Sequence, residues 1–377
     1  MDVREFDFDL PPELIAQEPL RDRSGSRLLH LDRATAAIQH THVAALPDLL
    51  RAGDLVVVND TRVFPARLIG RRVPSGGAVE CLLVSRLAPR RGDPDGVAAG
   101  LAPGDQQVPA KRTPGAPPGE LWEALAHPGQ KLKPGARVVF EGIHTIQGEI
   151  LEQRFFGRRI VRLWTDDGST LDEAVDAIGH MPLPPYIKRD DRPADRDRYQ
   201  TVFADARGSI AAPTAGLHFT PALVAAMAQR GIEITRITLH VGYGTFQPVR
   251  VERVEDHTVE AERYEIGAAA AGAITCARAE RRRVVAVGTT TTRTLEHVAR
   301  VHDGAIPAGR GVTDLFIYPG HQFRVVDALL TNFHLPKSSL LMLVAAFGGR
   351  DLVRRAYDAA IASRYRFYSY GDAMVIT

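Results

Sequence analysis

The stretch Val284-Val285-Ala286-Val287-Gly288-Thr289-Thr290-Thr291-Thr292-Arg293 sets out the organisation of the chain. Its apolar, β-branched opening reads as a short buried strand. The glycine permits a tight turn, and a hydroxyl-rich run ending in arginine reads as the start of a helix. Strand, turn and helix in that order form the unit of an α/β fold. Outward from it the alternation recurs. Upstream, Leu55–Asn59 is a short apolar strand, Ile232–Val241 alternates as a strand, and Gly267–Arg282 is Ala-rich and helical. Thr220-Pro221 through Arg230-Gly231 reads as a capped helix, with Thr at the N-cap, Pro at the first helical position and Gly after the end. Downstream come a helix over Thr292–Arg300, a strand over Arg324–Leu330, and helices over Ser339–Phe347 and Asp351–Arg364.

A different texture interrupts this body. Ala66–Arg72, Val79–Val84, Leu121–Ala126, Arg137–Phe140, Thr145–Leu151 and Arg159–Trp164 read as short strands, with Gly or Pro turns between most of them. Strands at that spacing suggest a small barrel or sandwich, inserted into the α/β body. Ala88–Gly119 holds seven prolines and six glycines among 32 residues and reads as a mobile loop. The expected domains are 1–66 and 165–377 as the two parts of the main body, with 67–164 as the insertion.

With 377 residues, 45% hydrophobic and 24% charged, the chain has an ordinary globular composition and more length than one core usually carries. Cys81 and Cys276 give neither a disulfide framework nor metal-ligand spacing, which favours a reduced, cytoplasmic protein. Met1–Asp7 is charged from the second residue and has no apolar signal core. The longest apolar run, Leu340–Phe347, falls far short of the about 20 residues of a spanning helix. Net charge is +2, but residues 67–164 carry 15 Lys and Arg against 9 Asp and Glu. Such an excess suits a polyanion such as RNA, or an ordinary solvated face.

Three places could carry chemistry. At Gly288–Arg293, free backbone N–H groups and a guanidinium could hold an anion; alternatively, threonine caps the helix and Arg293 pairs with a local acid. Pro213–Thr220 places His218 in a loop leading into a helix, and His240–Phe246 places His240 at a strand end before two glycines. Asp256, His257, Glu260 and Glu262 follow in a polar stretch. Histidines and carboxylates in strand-end loops can serve as general bases and acids near neutral pH. The spacing of His218, His240 and His257 suits no zinc site, and no metal is expected. No GxSxG elbow, Walker loop or kinase signature occurs.

Longer blocks resemble a known family from end to end. They include Phe6–Pro11, Arg23–Leu29, Gly53–Val63, Gly179–Ile187, Arg198–Phe203, Ala212–Thr220, His240–Phe246, Gly288–Glu296, Thr331–Ser338 and Tyr365–Asp372. In these the chain is similar to the S-adenosylmethionine:tRNA ribosyltransferase-isomerases of queuosine biosynthesis. The resemblance implies an α/β main domain, barrel-like, with an inserted small β-barrel. It implies transfer and isomerisation of the ribosyl unit of S-adenosylmethionine, consumed as co-substrate with no cofactor. The acceptor would be 7-aminomethyl-7-deazaguanine at a tRNA wobble position, in a soluble monomer. Proton transfer falls to His218, His240 or His257, with Asp256 or Glu262 as partner. Substrate binding falls to Asp60, Thr61, Arg62, Thr214, Thr290, Thr291, Arg293 and His334. One departure stands out: Glu260 occupies the place of the second histidine in the family's D-H-x-M-H-x-E pattern, so that role is not carried over. The competing readings are an S-adenosylmethionine-dependent RNA methyltransferase and a noncatalytic tRNA-binding protein. Neither accounts for blocks that span the whole chain.

Overall fold

The structure, a computed structural model, describes residues 1–87, 119–246 and 249–377. Residues 88–118, most of the segment read as a mobile loop, lie outside them. The chain forms two compact units. One comprises Met1–Arg62, Leu183–Asp190 and Asp197–Thr377, the other Val63–Pro182 and Asp191–Arg196.

In the first unit, nine strands form a mixed sheet in the order Gly309–Thr313, Glu262–Ile266, Glu233–Leu239, Leu55–Asn59, Val284–Val287, Ala328–Asn332, Ala373–Ile376, Arg27–Leu31 and Ile38–His42. This sheet is open rather than barrel-like, while the α/β class and the inserted barrel are as the sequence indicated. Four neighbours, Glu233–Leu239, Leu55–Asn59, Val284–Val287 and Ala328–Asn332, run parallel. Their carboxyl ends therefore share one edge of the sheet. Leu55–Asn59 and Val284–Val287 are buried at every position. Leu55, Val57, Val284 and Ala286 pack with Ile274, Leu295 and Val298 on one face. Val56, Val58, Val285 and Val287 pack with Phe219, Leu223 and Met227 on the other. A strand covered on both faces has no polar side to alternate with, which explains its unbroken apolar run.

Local chemistry sets the element ends. Thr220 caps helix Pro221–Gln229, its hydroxyl accepting from the Leu223 N–H at 3.1 Å. Helix Thr289–Val301 starts three residues before the expected Thr292, directly after Gly288 at φ +88°. Within it, the hydroxyls of Thr291, Thr292 and Thr294 donate to the carbonyls of Val287, Gly288 and Thr290, so a buried helix leaves these polar groups paired. The strand expected over 324–330 begins only at Ala328. The Glu296 carboxylate takes the backbone N–H groups of Arg324, Val325 and Val326 at 2.8–3.0 Å and so withholds them from a ladder.

The second unit holds a closed, six-stranded antiparallel barrel in the order Arg158–Thr165, Glu120–His127, Ala78–Leu87, Arg67–Val73, Arg137–Glu141 and Thr145–Gln153. Each matches one of the six strands read from the sequence. Beyond these strands the unit takes in helix Leu171–Ile178, opened by a capping box between Thr170 and Glu173. Part of its basic excess is internal. Arg159 is fully buried and donates to the carbonyls of Gly129, Leu132 and Arg158, while Arg158 pairs with Glu123 at 2.8 Å. Among the described residues, no helix is long and apolar enough to cross a membrane.

Candidate active site

Open α/β sheets bind ligands where parallel strands end, because the loops there leave a crevice between diverging chains. Such a crevice lies at the carboxyl ends of Val284–Val287 and Ala328–Asn332. It is a solvent-open cleft with about 710 Å3 of empty space, open solvent included. Gly288, Thr289 and Thr290 enter it from the first strand, and Thr331, Asn332, His334, Leu335 and Ser338 from the second. Pro213, Thr214 and Ala215 border it from the 3₁₀ turn ahead of helix Pro221–Gln229, and Val241 and Thr245 from beyond Glu233–Leu239.

Two tyrosines form a wall. Tyr186 and Tyr368 stack with centroids 4.4 Å apart, and the Tyr186 hydroxyl lies 2.5 Å from Ser369 Oγ. Burial pushes the Tyr186 phenol up to about 12, so it keeps its proton. Tyr368 has φ +73°, a left-handed conformation of order 1–3 kcal/mol in strain for a bulky residue. Its N–H donates to Phe333 O at 3.0 Å, and its carbonyl accepts from Gly371 N and Asn332 Nδ2 at 2.9 and 3.1 Å. These bonds hold the ring in place against that strain.

His334 borders the cleft with Nε2 2.7 Å from Thr331 Oγ1, and its backbone N–H donates to the Tyr357 hydroxyl at 3.0 Å. Burial lowers its pKa to about 3, so the ring is neutral. His218 lies behind Asn332, its Nε2 3.1 Å from Asn332 Nδ2. It is buried and does not line the cleft; burial brings it down to about 4.

Of the residues picked from sequence, the cleft gathers Thr214, Thr290 and His334. Arg293 and Glu262 instead form a buried ion pair at 2.9 Å. Glu262 also accepts the Gly242 N–H at 3.0 Å, and Arg293 Nε donates to Leu315 O. Of the two readings of Arg293, pairing with an acid is the one the fold adopts. The Thr291 hydroxyl is committed to its own helix. Asp60, Thr61 and His240 form a second grouping outside the cleft lining. There Thr61 Oγ1 lies 2.9 Å from His240 Nδ1 and 2.7 Å from Ser209 Oγ, and Asp60 Oδ1 accepts from Thr238 Oγ1 at 2.6 Å. Burial raises the Asp60 pKa and lowers that of His240 to about 4. Arg62 and Asp256 are exposed. His257 is half-buried with its ring edge-on to Phe316 at 5.0 Å. None of these lines the cleft.

Tyr186, Asn332, Ser338, Tyr368 and Ser369 line it without having been singled out. All five fall inside blocks that carry the family resemblance. A search for titratable groups passes over phenols, hydroxyls and amides, whose role depends on enclosure. Among the described residues, no three of His, Cys, Asp or Glu are grouped to hold a metal.

Comparison with known proteins accounts for the whole length. A family model described as "Queuosine biosynthesis protein" matches residues 3–376. An S-adenosylmethionine:tRNA ribosyltransferase-isomerase from Geobacter sulfurreducens is 49% identical over 375 residues, covering 99% of both chains. One from Desulfitobacterium hafniense is 46% identical over 376 residues, covering 100% of both. The crystal structure of an S-adenosylmethionine tRNA ribosyltransferase from Thermotoga maritima is similar with a TM-score of 0.51 and 35% identity, over 99% of this chain and 100% of that one.

Proposed function

Because the chain belongs to the queuosine biosynthesis protein family, we propose that it is an S-adenosylmethionine:tRNA ribosyltransferase-isomerase. In this reading it moves the ribosyl unit of S-adenosylmethionine onto the aminomethyl group of 7-aminomethyl-7-deazaguanine at a tRNA wobble position. Epoxyqueuosine-tRNA, adenine and methionine are the products.

The observation that carries this reading is the charge of the cleft. Its described lining contains hydroxyls, an amide, two stacked phenols and a neutral imidazole, with no Lys, Arg, Asp or Glu. A fixed sulfonium meets no cation there, and aromatic faces favour it. The absence of carboxylates suits the acceptor as well: with no counter-ion beside it to hold its proton, the amine is more readily the free base that can attack. The sulfonium acidifies the adjacent 5′ hydrogens of the donor. In this reading His334 meets the donor as an uncharged imidazole and Tyr186 as a protonated phenol, both at the cleft wall.

Incubation with S-adenosylmethionine and tRNA bearing the deazaguanine precursor tests the reading. Nucleoside mass spectrometry should show epoxyqueuosine, with adenine and methionine released in equal amounts. A methylated nucleoside, or an unaltered one from folded protein, would contradict it.

A further inference from the structure

Asn332 closes strand Ala328–Asn332, borders the cleft and is 2% exposed. Its carboxamide has only one chemically acceptable orientation. One amide atom lies 3.1 Å from the Tyr368 carbonyl oxygen, which can only accept, so that atom is Nδ2. The same Nδ2 lies 3.1 Å from His218 Nε2, so this ring nitrogen offers its lone pair and the imidazole proton sits on Nδ1. Both Nδ2 protons are then committed, and Oδ1 is left buried with no hydrogen-bond partner among the described residues. Buried amide oxygens are rarely left unpaired in folded proteins. This one belongs to a residue of the cleft wall.

We propose that Asn332 Oδ1 accepts a hydrogen bond from the donor substrate, and that His218 is a positioning residue that fixes the carboxamide for that contact. The proposal rests on the ribosyltransferase reading and deepens it. The partner is an uncharged O–H or N–H group. An ammonium would call for a carboxylate, and the described cleft lining has none. In S-adenosylmethionine this leaves the ribosyl hydroxyls and the adenine amino group. His218 touches Asn332 rather than the cleft and acts through it. Its place in the sequence suggested a proton-transfer group; its neighbour makes it a clamp.

The test measures S-adenosylmethionine affinity by calorimetry and adenine release in single turnover, with a melting curve for each variant. N332A should weaken donor binding about tenfold, the loss of one buried hydrogen bond. H218L, which removes the acceptor for Nδ2, should reproduce that loss, and N332A/H218L should be no weaker than N332A alone. H218Q offers an amide oxygen to Nδ2 and should recover most of the affinity and rate. The 2′-deoxy and 3′-deoxy donors and the donor lacking the adenine amino group identify the contact: the one that Asn332 recognises should bind wild type and N332A equally. Additive losses in the double variant would overturn the proposal, as would all three analogues binding N332A more weakly than wild type. So would an H218Q protein that binds donor normally yet releases no adenine, since the imidazole would then be moving the proton itself. Should H218L fail to fold, H218Q and the analogue series still decide. If wild type binds the donor but never releases adenine, the ribosyl-transfer reading fails while the binding comparisons still judge Asn332.

Discussion

Burial is the main reason that three histidines stay neutral in the fold, with pKa values of about 4 for His218, about 4 for His240 and about 3 for His334, against 6.5 when unfolded. The unfolded chain therefore binds more protons than the native one between pH 6.5 and about 4. The stability these groups confer is complete above pH 6.5 and is lost as pH falls toward the folded values. Each histidine contributes a slope of up to about 1.4 kcal/mol per pH unit. Urea midpoints at pH 7, 6 and 5 should fall steeply below 6.5, with little change between 7 and 8; a flat profile would mean that these rings are charged or solvated. At this scale the sequence disclosed the residue types but not their enclosure. His218, His240 and His257 look alike in sequence, each in a polar or glycine-bearing stretch. Only packing makes the first a buried neighbour of Asn332, the second a partner of Thr61 and the third a ring on Phe316.

The element scale is governed by a few contacts between segments. Glu262 on strand Glu262–Ile266 and Arg293 on helix Thr289–Val301 join two elements through a nearly dry ion pair, with side chains 4% and 8% exposed. E262Q removes the anion and leaves the guanidinium buried, which should destabilise the protein by about 3–5 kcal/mol in chemical denaturation. Turnover per folded molecule should suffer far less, because neither side chain lines the cleft. In the barrel, a Cβ on Gly70 would lie 2.1 Å from Val139 O, a backbone atom that cannot step aside. G70A should therefore open the strand pair and make the second unit sensitive to limited proteolysis; unchanged resistance would show that the strands can shift apart. Elements with strong patterns were legible. Leu55–Asn59 and Val284–Val287 are apolar throughout, and the barrel strands are set off by turns. The flanking strands Glu262–Ile266 and Gly309–Thr313 were not read. One is charged and the other holds two glycines in five residues, so both depend on pairing supplied by neighbours distant in sequence.

For the whole molecule, the basic balance of residues 67–164 suited either a polyanion or an ordinary solvated face, and the basic side chains among the described residues include two contrasting groups. Arg154 and Arg158 pair with Glu123, and Arg159 is buried, so their neutralisation would injure the barrel before it altered a nucleic-acid contact. Lys131, Lys133 and Arg137 are exposed and make no ion pair among the described residues. Each duplex phosphate neutralised contributes about −0.9 to the salt slope. Replacing all three by Gln should therefore reduce the slope of tRNA binding by about 2–3 while leaving S-adenosylmethionine affinity intact. An unchanged slope would assign tRNA to other surfaces.

The most direct measurement of the proposed reaction follows two labels from one donor. S-adenosylmethionine carrying 13C in its ribose and deuterium in its methyl group is incubated with the protein and precursor tRNA, and the digested nucleosides are weighed. Ribosyl transfer predicts that the modified nucleoside gains the 13C-labelled sugar carbons and no deuterium, with the labelled methyl recovered in methionine. Deuterium in the tRNA without ribose carbon would make the protein a methyltransferase and contradict the assignment.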